Sequence, residues 1–258
     1  MTNILFEKKD NLGLITLNRP KQRNALSLEL IEEFQEQLDK ISKDRDIKVV
    51  IIKGNGPAFC AGHDINELVG KDKDIKHFRK IFSTCSELML SLQKIPQPVI
   101  ARVHGAALAA GCQLVAACDL AIADNKTKFS TPGVKMGLFC STPMVPISRS
   151  ICRKNALDML FTGRFITAKE AEKFGLVNKV VEPHKLEEET EKWAKEISKF
   201  TLHTLEVGKK AFYHQAGMDE ESAYNYATEV IAQNCLSEDA QEGLKAFLER
   251  RKPRWKGR

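Results

Sequence analysis

Apolar residues are first spaced as strands and then as helices. Residues 3 to 8 and 12 to 18 form two short strand-like runs, and the turn RPKQR leads from them into SLELIEEFQEQLDKIS. There Leu28, Leu30, Ile31, Phe34, Leu38 and Ile41 fall every three or four positions, which predicts one buried helix face. VVIIKG, residues 49 to 54, is continuously apolar up to its lysine and predicts a buried strand. A charged helical segment over 72 to 95 precedes another strand, PVIARV. The turn HGAALAAG, the short helix CQLVAACD and the strand LAIAD then repeat the unit. Strand, tight turn, helix and strand in this order predict an α/β fold whose strand C-termini face a crevice.

Further along, TAKE at 167 to 170 reads as a capping box, with Gly175 placed to end the helix it opens. From residue 186 the pattern is helical, without strand candidates. Residues 1–195 are therefore read as the core and 196–258 as a helical region whose apolar faces dock on the core or on a second subunit.

With 258 residues, 43% of them hydrophobic, the chain has material for a large core. Its seven cysteines lack any CxxC pair and sit mostly in apolar runs, so they read as buried thiols, with neither a disulfide framework nor a metal site expected. The N-terminus shows no basic stretch followed by an apolar one, and the most apolar segment is interrupted by Gln113 and Asp119. A cytoplasmic location and no membrane span are expected on that reading. The net charge of +6 gathers in two places: Arg19, Lys21 and Arg23, and six basic residues among the last nine. A solvated surface and a frayed tail account for this, as does a site for a polyanionic small molecule. Nucleic acid is not the expected partner, because few aromatics interleave and no nucleic-acid module is present.

CAGHD and LAAGCQ each end a strand and open a helix with residues small enough for close backbone approach. Facing one crevice, the N–H groups of His63 and Ala110 would bind an oxyanion; facing apart, the small residues are only packing.

RPKQRNAL, AFCAGHDINEL, PVIARVHGAALAAGCQLVAACDLAIAD, FTGRFITAKEAEKFGLVNKVV and AFLERRKPRW together resemble the enoyl-CoA hydratase/isomerase, or crotonase, family along the whole chain. The resemblance implies a spiral of ββα units with a C-terminal helical trimerisation region, assembled as trimers or dimers of trimers. It implies an acyl-CoA ligand, with coenzyme A entering as part of that ligand and no permanently bound cofactor. The thioester carbonyl would accept from His63 N–H and Ala110 N–H, with Ala61, Gly62, Asp64 and Ile65 running beside the ligand. Lys21, Arg23 and, from a neighbouring subunit, Arg250 are the implied phosphate contacts.

Two positions depart from the family. Hydratases of this family carry one glutamate after the hole glycines, where this chain has Gln113, and a second four residues after a phenylalanine, where it has Gly133. The amide has the shape of a carboxylate and no proton to exchange near neutral pH, and glycine has no side chain at all. This pair of changes, set within AGHD and GVKMGLFCSTP, resembles one subgroup of the family. Other groups are candidates to substitute. The His63 imidazole titrates near neutrality, whereas Cys140 would need a base that the sequence does not identify. Asp64 and Glu67 fit the start of a helix, and His104 and Asp119 fit structural roles. Three readings stay open: a lyase or isomerase of fatty-acid metabolism using another acid or base or a Gln113-held water; a non-catalytic or regulatory binder of CoA thioesters; and a basic nucleic-acid binder. If the pocket is otherwise family-like, restoring both glutamates is expected to raise hydration.

Overall fold

A computed structural model describes residues 2–70 and 74–258. Its strands and helices follow in chain order. β1 (Ile4–Lys9) and β2 (Leu12–Leu17) lead to α1 (Leu28–Lys43), β3 (Val49–Gly54), α2 (Ile75–Lys94) and β4 (Val99–Val103). Next come β5 (Ala106–Leu108), α3 (Ala110–Ala117), β6 (Leu120–Asp124), β7 (Lys128–Ser130), α4 (Ser141–Ser150) and α5 (Arg153–Thr162). β8 (Ile166–Thr167), α6 (Ala168–Phe174) and β9 (Lys179–Val181) precede α7 (Leu186–Ser198), α8 (Leu202–Gln215), α9 (Glu220–Cys235) and α10 (Glu238–Leu248).

The first sheet runs β1-β2-β3-β4-β6-β9, parallel except for the β1/β2 hairpin. Parallel strands need cover on both faces. The buried stripe of α1, Leu30, Ile31, Phe34, Leu38 and Ile41, belongs to the larger apolar cluster with Ile15, Leu17, Val50 and Ile52. Leu186 and Ala194 of α7 close the opposite face over Leu12, Leu14, Val49, Ile51, Ile100 and Ile122. The predicted strands over 49–54 and 120–124 match β3 and β6 residue for residue. The helix expected over 72–95 begins at Ile75 with Asp74 as its cap; positions 72 and 73 lie outside the described residues.

A second sheet, β5-β7-β8, was not expected, because strands of two or three residues carry no readable periodicity. A parallel bridge between Cys60 and Ala107 ties its β5 to the loop after β3 of the first sheet. The capping box stands as predicted: Thr167 Oγ1 accepts from Glu170 N–H, the Glu170 carboxylate accepts from Thr167 N–H, and Gly175 ends the helix at φ 90°. After residue 186 the described chain is helical up to Leu248 apart from short connections.

The C-terminal helices are bolted to the core through one buried pair. Lys209 of α8 donates to Asp119 Oδ2 at 2.7 Å and to the carbonyls of Leu92 and Gln97, while Asp119 also accepts from Val99 N–H and the Tyr213 hydroxyl. The basic tail is not frayed. The Asp239 carboxylate accepts from the backbone N–H groups of Lys256 and Gly257, and Arg251 grips Glu242 through two nitrogens. Five of the seven cysteines are buried, whereas Cys152 and Cys235 are exposed.

Candidate functional site

Three segments make the site, and backbone hydrogen bonds fix each against the next. The loop after β3 is strapped on one side by Ala61 N–H to the Arg23 carbonyl (3.0 Å) and Leu26 N–H to the Gly62 carbonyl (2.8 Å). On its other side Cys60 N–H donates to Ala106 and Leu108 N–H to Cys60, so the loop lies between the Arg23–Leu26 segment and β5. Gly111 packs so closely on the Cys60 carbonyl that no side chain fits there.

Gly62, at φ 105°, meets the start of α3. A side-chain carbon placed on it would stand 3.1 Å from Ala109 Cβ and 3.6 Å from Ala110 N. Ala109 is held at φ 46°, a conformation that costs a non-glycine residue about 1–3 kcal/mol and is kept only where surrounding contacts impose it. The loop that carries His63 is thereby packed against the start of α3 that carries Ala110. Among the described residues neither His63 N–H nor Ala110 N–H donates to a backbone carbonyl, and Ala110 N–H is an unused donor of the first helical turn.

Both residues line a cavity of about 360 Å³. Its walls are mostly apolar, built from Ile65, Leu68, Phe82, Pro132, Met136, Leu138 and Phe139, with the hydroxyl residues Ser141 and Thr142 also lining it. Among the described residues no carboxylate, lysine or arginine lines it. The His63 imidazole packs edge-on against Phe82 with ring centroids 5.1 Å apart. Burial pushes its pKa down to about 4, against a smaller upward pull from the Leu26 carbonyl, and neither ring nitrogen has a hydrogen-bond partner. The imidazole is therefore neutral near pH 7, contrary to the reading that it titrates there. The Cys140 thiol also lines the cavity, and burial raises its pKa, opposed by a bond from Gly133. It is not poised as a thiolate.

The remaining residues named from the sequence divide into three groups. Ala61, His63, Ile65 and Ala110 meet at the cavity, with Gly62 behind them. The Asp64 carboxylate is already committed: Oδ2 accepts from Arg19 Nη2 at 2.9 Å and Oδ1 from Asn66, and the side chain is largely buried. Lys21 and Arg23 are exposed and, among the described residues, without ion pairs, on a turn whose backbone is bonded to the hole loop. Arg250, beyond α10, is exposed and does not line the cavity.

Gln113 lies one helical turn after Ala109. It is 2% exposed, does not line the cavity and leaves its Oε1 without a partner. Gly133 does line the cavity. A Cβ there would stand 2.6 Å from the Leu138 carbonyl oxygen and 2.8 Å from Cys140 Sγ, because the Gly133–Leu138 turn closes on itself through Leu138 N–H to the Gly133 carbonyl. A glutamate at 133 would therefore have to displace the Leu138 carbonyl and the Cys140 thiol.

This spiral of strands and helices, with an apolar cavity beside the start of α3, has the fold of the crotonase class. The chain belongs to the enoyl-CoA hydratase/isomerase family, whose model matches residues 7–258. It is similar to the mitochondrial enoyl-CoA hydratase domain-containing protein 3 of Rattus norvegicus, 44% identical over 96% of this chain and 82% of the relative, and to its Homo sapiens counterpart, 44% identical over 95% and 81%. Among solved structures, the human enoyl-CoA hydratase domain-containing protein 3 superposes with a TM-score of 0.95 at 43% identity, covering 98% of this chain and all of that one. A Mycobacterium smegmatis enoyl-CoA hydratase also reaches 0.95 at 42% identity, covering 98% of each.

These relatives correct one expectation. Five proteins of the first kind, from rat, mouse, human, frog and zebrafish, are named mitochondrial, which overturns the cytoplasmic location read from the N-terminus. Leader segments are cleaved from mature proteins and are no part of the packed fold, so the fold carries no record of compartment. Among the described residues no helix is long and apolar enough to cross a membrane.

Proposed function

We propose that this protein binds an acyl-CoA thioester and polarises its carbonyl between the N–H groups of His63 and Ala110. The observation that carries this reading is the presence of two unused backbone donors at one mostly apolar cavity. Such donors stabilise any enolate or tetrahedral oxyanion, each contributing about 10²–10³ in rate where chemistry follows. The acyl chain occupies the cavity, and coenzyme A is part of the ligand. Its phosphates run past Lys21 and Arg23, with Arg250 reaching in from a neighbouring copy in a trimer or dimer of trimers.

Ordinary hydration is not supported. It requires one group to take a proton from water and another to deliver one to the α-carbon, each worth about 10²–10⁴ in rate. Among the described residues the cavity lining holds no carboxylate, and its imidazole is neutral with a pKa of about 4. These observations favour a second reading beside enoyl-CoA lyase or isomerase chemistry in fatty-acid metabolism, namely a CoA-thioester binder without turnover. The names of the mitochondrial relatives support action in that organelle.

Incubation with crotonyl-CoA and a series of longer enoyl-CoA and acyl-CoA thioesters, following binding by calorimetry and product by mass, separates the two. Saturable thioester binding with no product supports the binder, and turnover above that of a His63→Pro variant, which lacks one hole donor, supports the enzyme. No binding by any thioester overturns the proposal.

A further inference from the structure

Scattered apolar side chains on a surface are ordinary, whereas a contiguous patch marks a contact. One such patch borders the cavity. Met136, Leu138 and Phe139 line the cavity and are exposed as well. Phe139 lies against Phe161 of α5 with ring centroids 6.1 Å apart, and Phe161 is 64% exposed. Gly163, which ends α5, packs on Pro132 and Val134. Phe165 follows it, 54% exposed, with Lys135 Nζ 5.9 Å from its ring centroid. The 136–139 turn and the end of α5 therefore make one apolar face.

The charge beside this face has one sign. Residues 132–165 hold five basic residues and one acid. That acid, Asp158, and Glu170 beyond it both bond Arg164. Among the described residues Lys135, Arg149, Arg153 and Lys154 are exposed and without an ion pair. Lys154 precedes Phe161 by seven residues, so it shares that face of α5 at about 10 Å along the axis, with Arg153 next to it.

An apolar face beside unneutralised cations fits an anionic bilayer, whose headgroups take up the charge while aromatic and aliphatic side chains enter the boundary with the acyl chains. A second copy docked isologously would instead set the same basic residues opposite one another. The large apolar exposure at Leu236, Phe247 and Leu248 differs in charge. Glu238, Glu242 and Glu249 accompany it, and Arg251, Lys256 and Arg258 are already paired with those acids.

We infer that the face made by residues 136–139 with Phe161 and Phe165 seats on an anionic lipid bilayer, with Lys135, Arg153 and Lys154 against the headgroups. Because Met136, Leu138 and Phe139 also line the cavity, the cavity then opens toward the bilayer. The docking surface does not depend on the acyl-CoA reading above.

Flotation of the full chain with phosphatidylcholine vesicles, with and without about one-third phosphatidylglycerol, tests this. The chain is expected to float with the anionic vesicles, to stay behind with phosphatidylcholine alone, and to be released as salt rises. Arg153→Gln with Lys154→Gln, and separately Phe161→Gln with Phe165→Gln, are each expected to weaken binding about tenfold or more at an unchanged thermal midpoint. Lys252→Gln with Arg254→Gln removes the same charge from the tail and is expected to cost less than about twofold. Absence of wild-type binding to the anionic vesicles overturns the surface. Equal loss in the two pairs of charge variants does so too, because attraction by net charge alone would then account for binding. Sedimentation without vesicles gives the remaining outcome: a smaller oligomer in the Phe161→Gln, Phe165→Gln variant would mean that a second copy covers this face, and would also overturn the inference.

Discussion

The Arg19 guanidinium bonds the Asp64 carboxylate at 2.9 Å and the Ala25 carbonyl at 2.6 Å, clamping the turn that carries Lys21 and Arg23 onto the loop that carries His63. Both partners are largely buried, at 19% and 10% side-chain exposure. Removing one member of such a pair leaves an uncompensated charge, at about 3–5 kcal/mol. Asp64→Ala is therefore expected to lose about 3 kcal/mol in urea unfolding and to weaken thioester binding, while the exposed Lys21→Ala leaves stability within about 0.5 kcal/mol. Equal stability loss in the two variants would contradict the clamp.

Gly133 faces main chain. Glutamate there must push the Leu138 carbonyl away, an overpacking change of about 1–3 kcal/mol. Gln113→Glu buries a carboxylate at a position 2% exposed, which is costly unless the acid stays protonated. The double variant is expected to melt several degrees below wild type without gaining crotonyl-CoA hydration. A folded double variant with hydratase activity would mean that the 133–138 turn opens freely.

His63 gives the protein an acid-sensitive element. Its pKa falls from an ordinary 6.5 to about 4, so the unfolded chain takes up the proton first. Stability from this residue is fully present above pH 6.5 and declines as pH drops from 6.5 toward 4, by about 3 kcal/mol in all. His63→Leu is expected to flatten the pH dependence of unfolding free energy across that window, and an unchanged slope would contradict the buried neutral imidazole.

Lys209 and Asp119 join the C-terminal helices to the core. Burial lowers the Lys209 pKa, with Asp119 opposing it, so the ammonium depends on that partner. Lys209→Ala is expected to destabilise by about 3–5 kcal/mol, and the paired change Lys209→Met with Asp119→Asn by less, because no charge is then left unpaired. Thermal melts of the single and double variants check this, and equal losses would contradict the pairing.

The regular elements were legible wherever a period ran for five residues or more. The α1 stripe, the buried β3, the Thr167 capping box and the Gly175 stop each carry their signal within one helix, strand or turn. Arg19 appeared only as part of a basic cluster, since its acid lies 45 residues away in sequence.

By itself, then, the sequence determined the element order, the small residues in the loops before Ile65 and α3, and the presence of Gln113 and Gly133 at their positions, all properties of residue type and local spacing. Tertiary structure alone decided that His63 and Ala110 line one cavity, that the imidazole is neutral, that main chain fills the place beside Gly133, and that Gln113 is buried rather than lining the cavity. Burial, desolvation and steric room arise only when segments distant in sequence pack, and no local pattern encodes them.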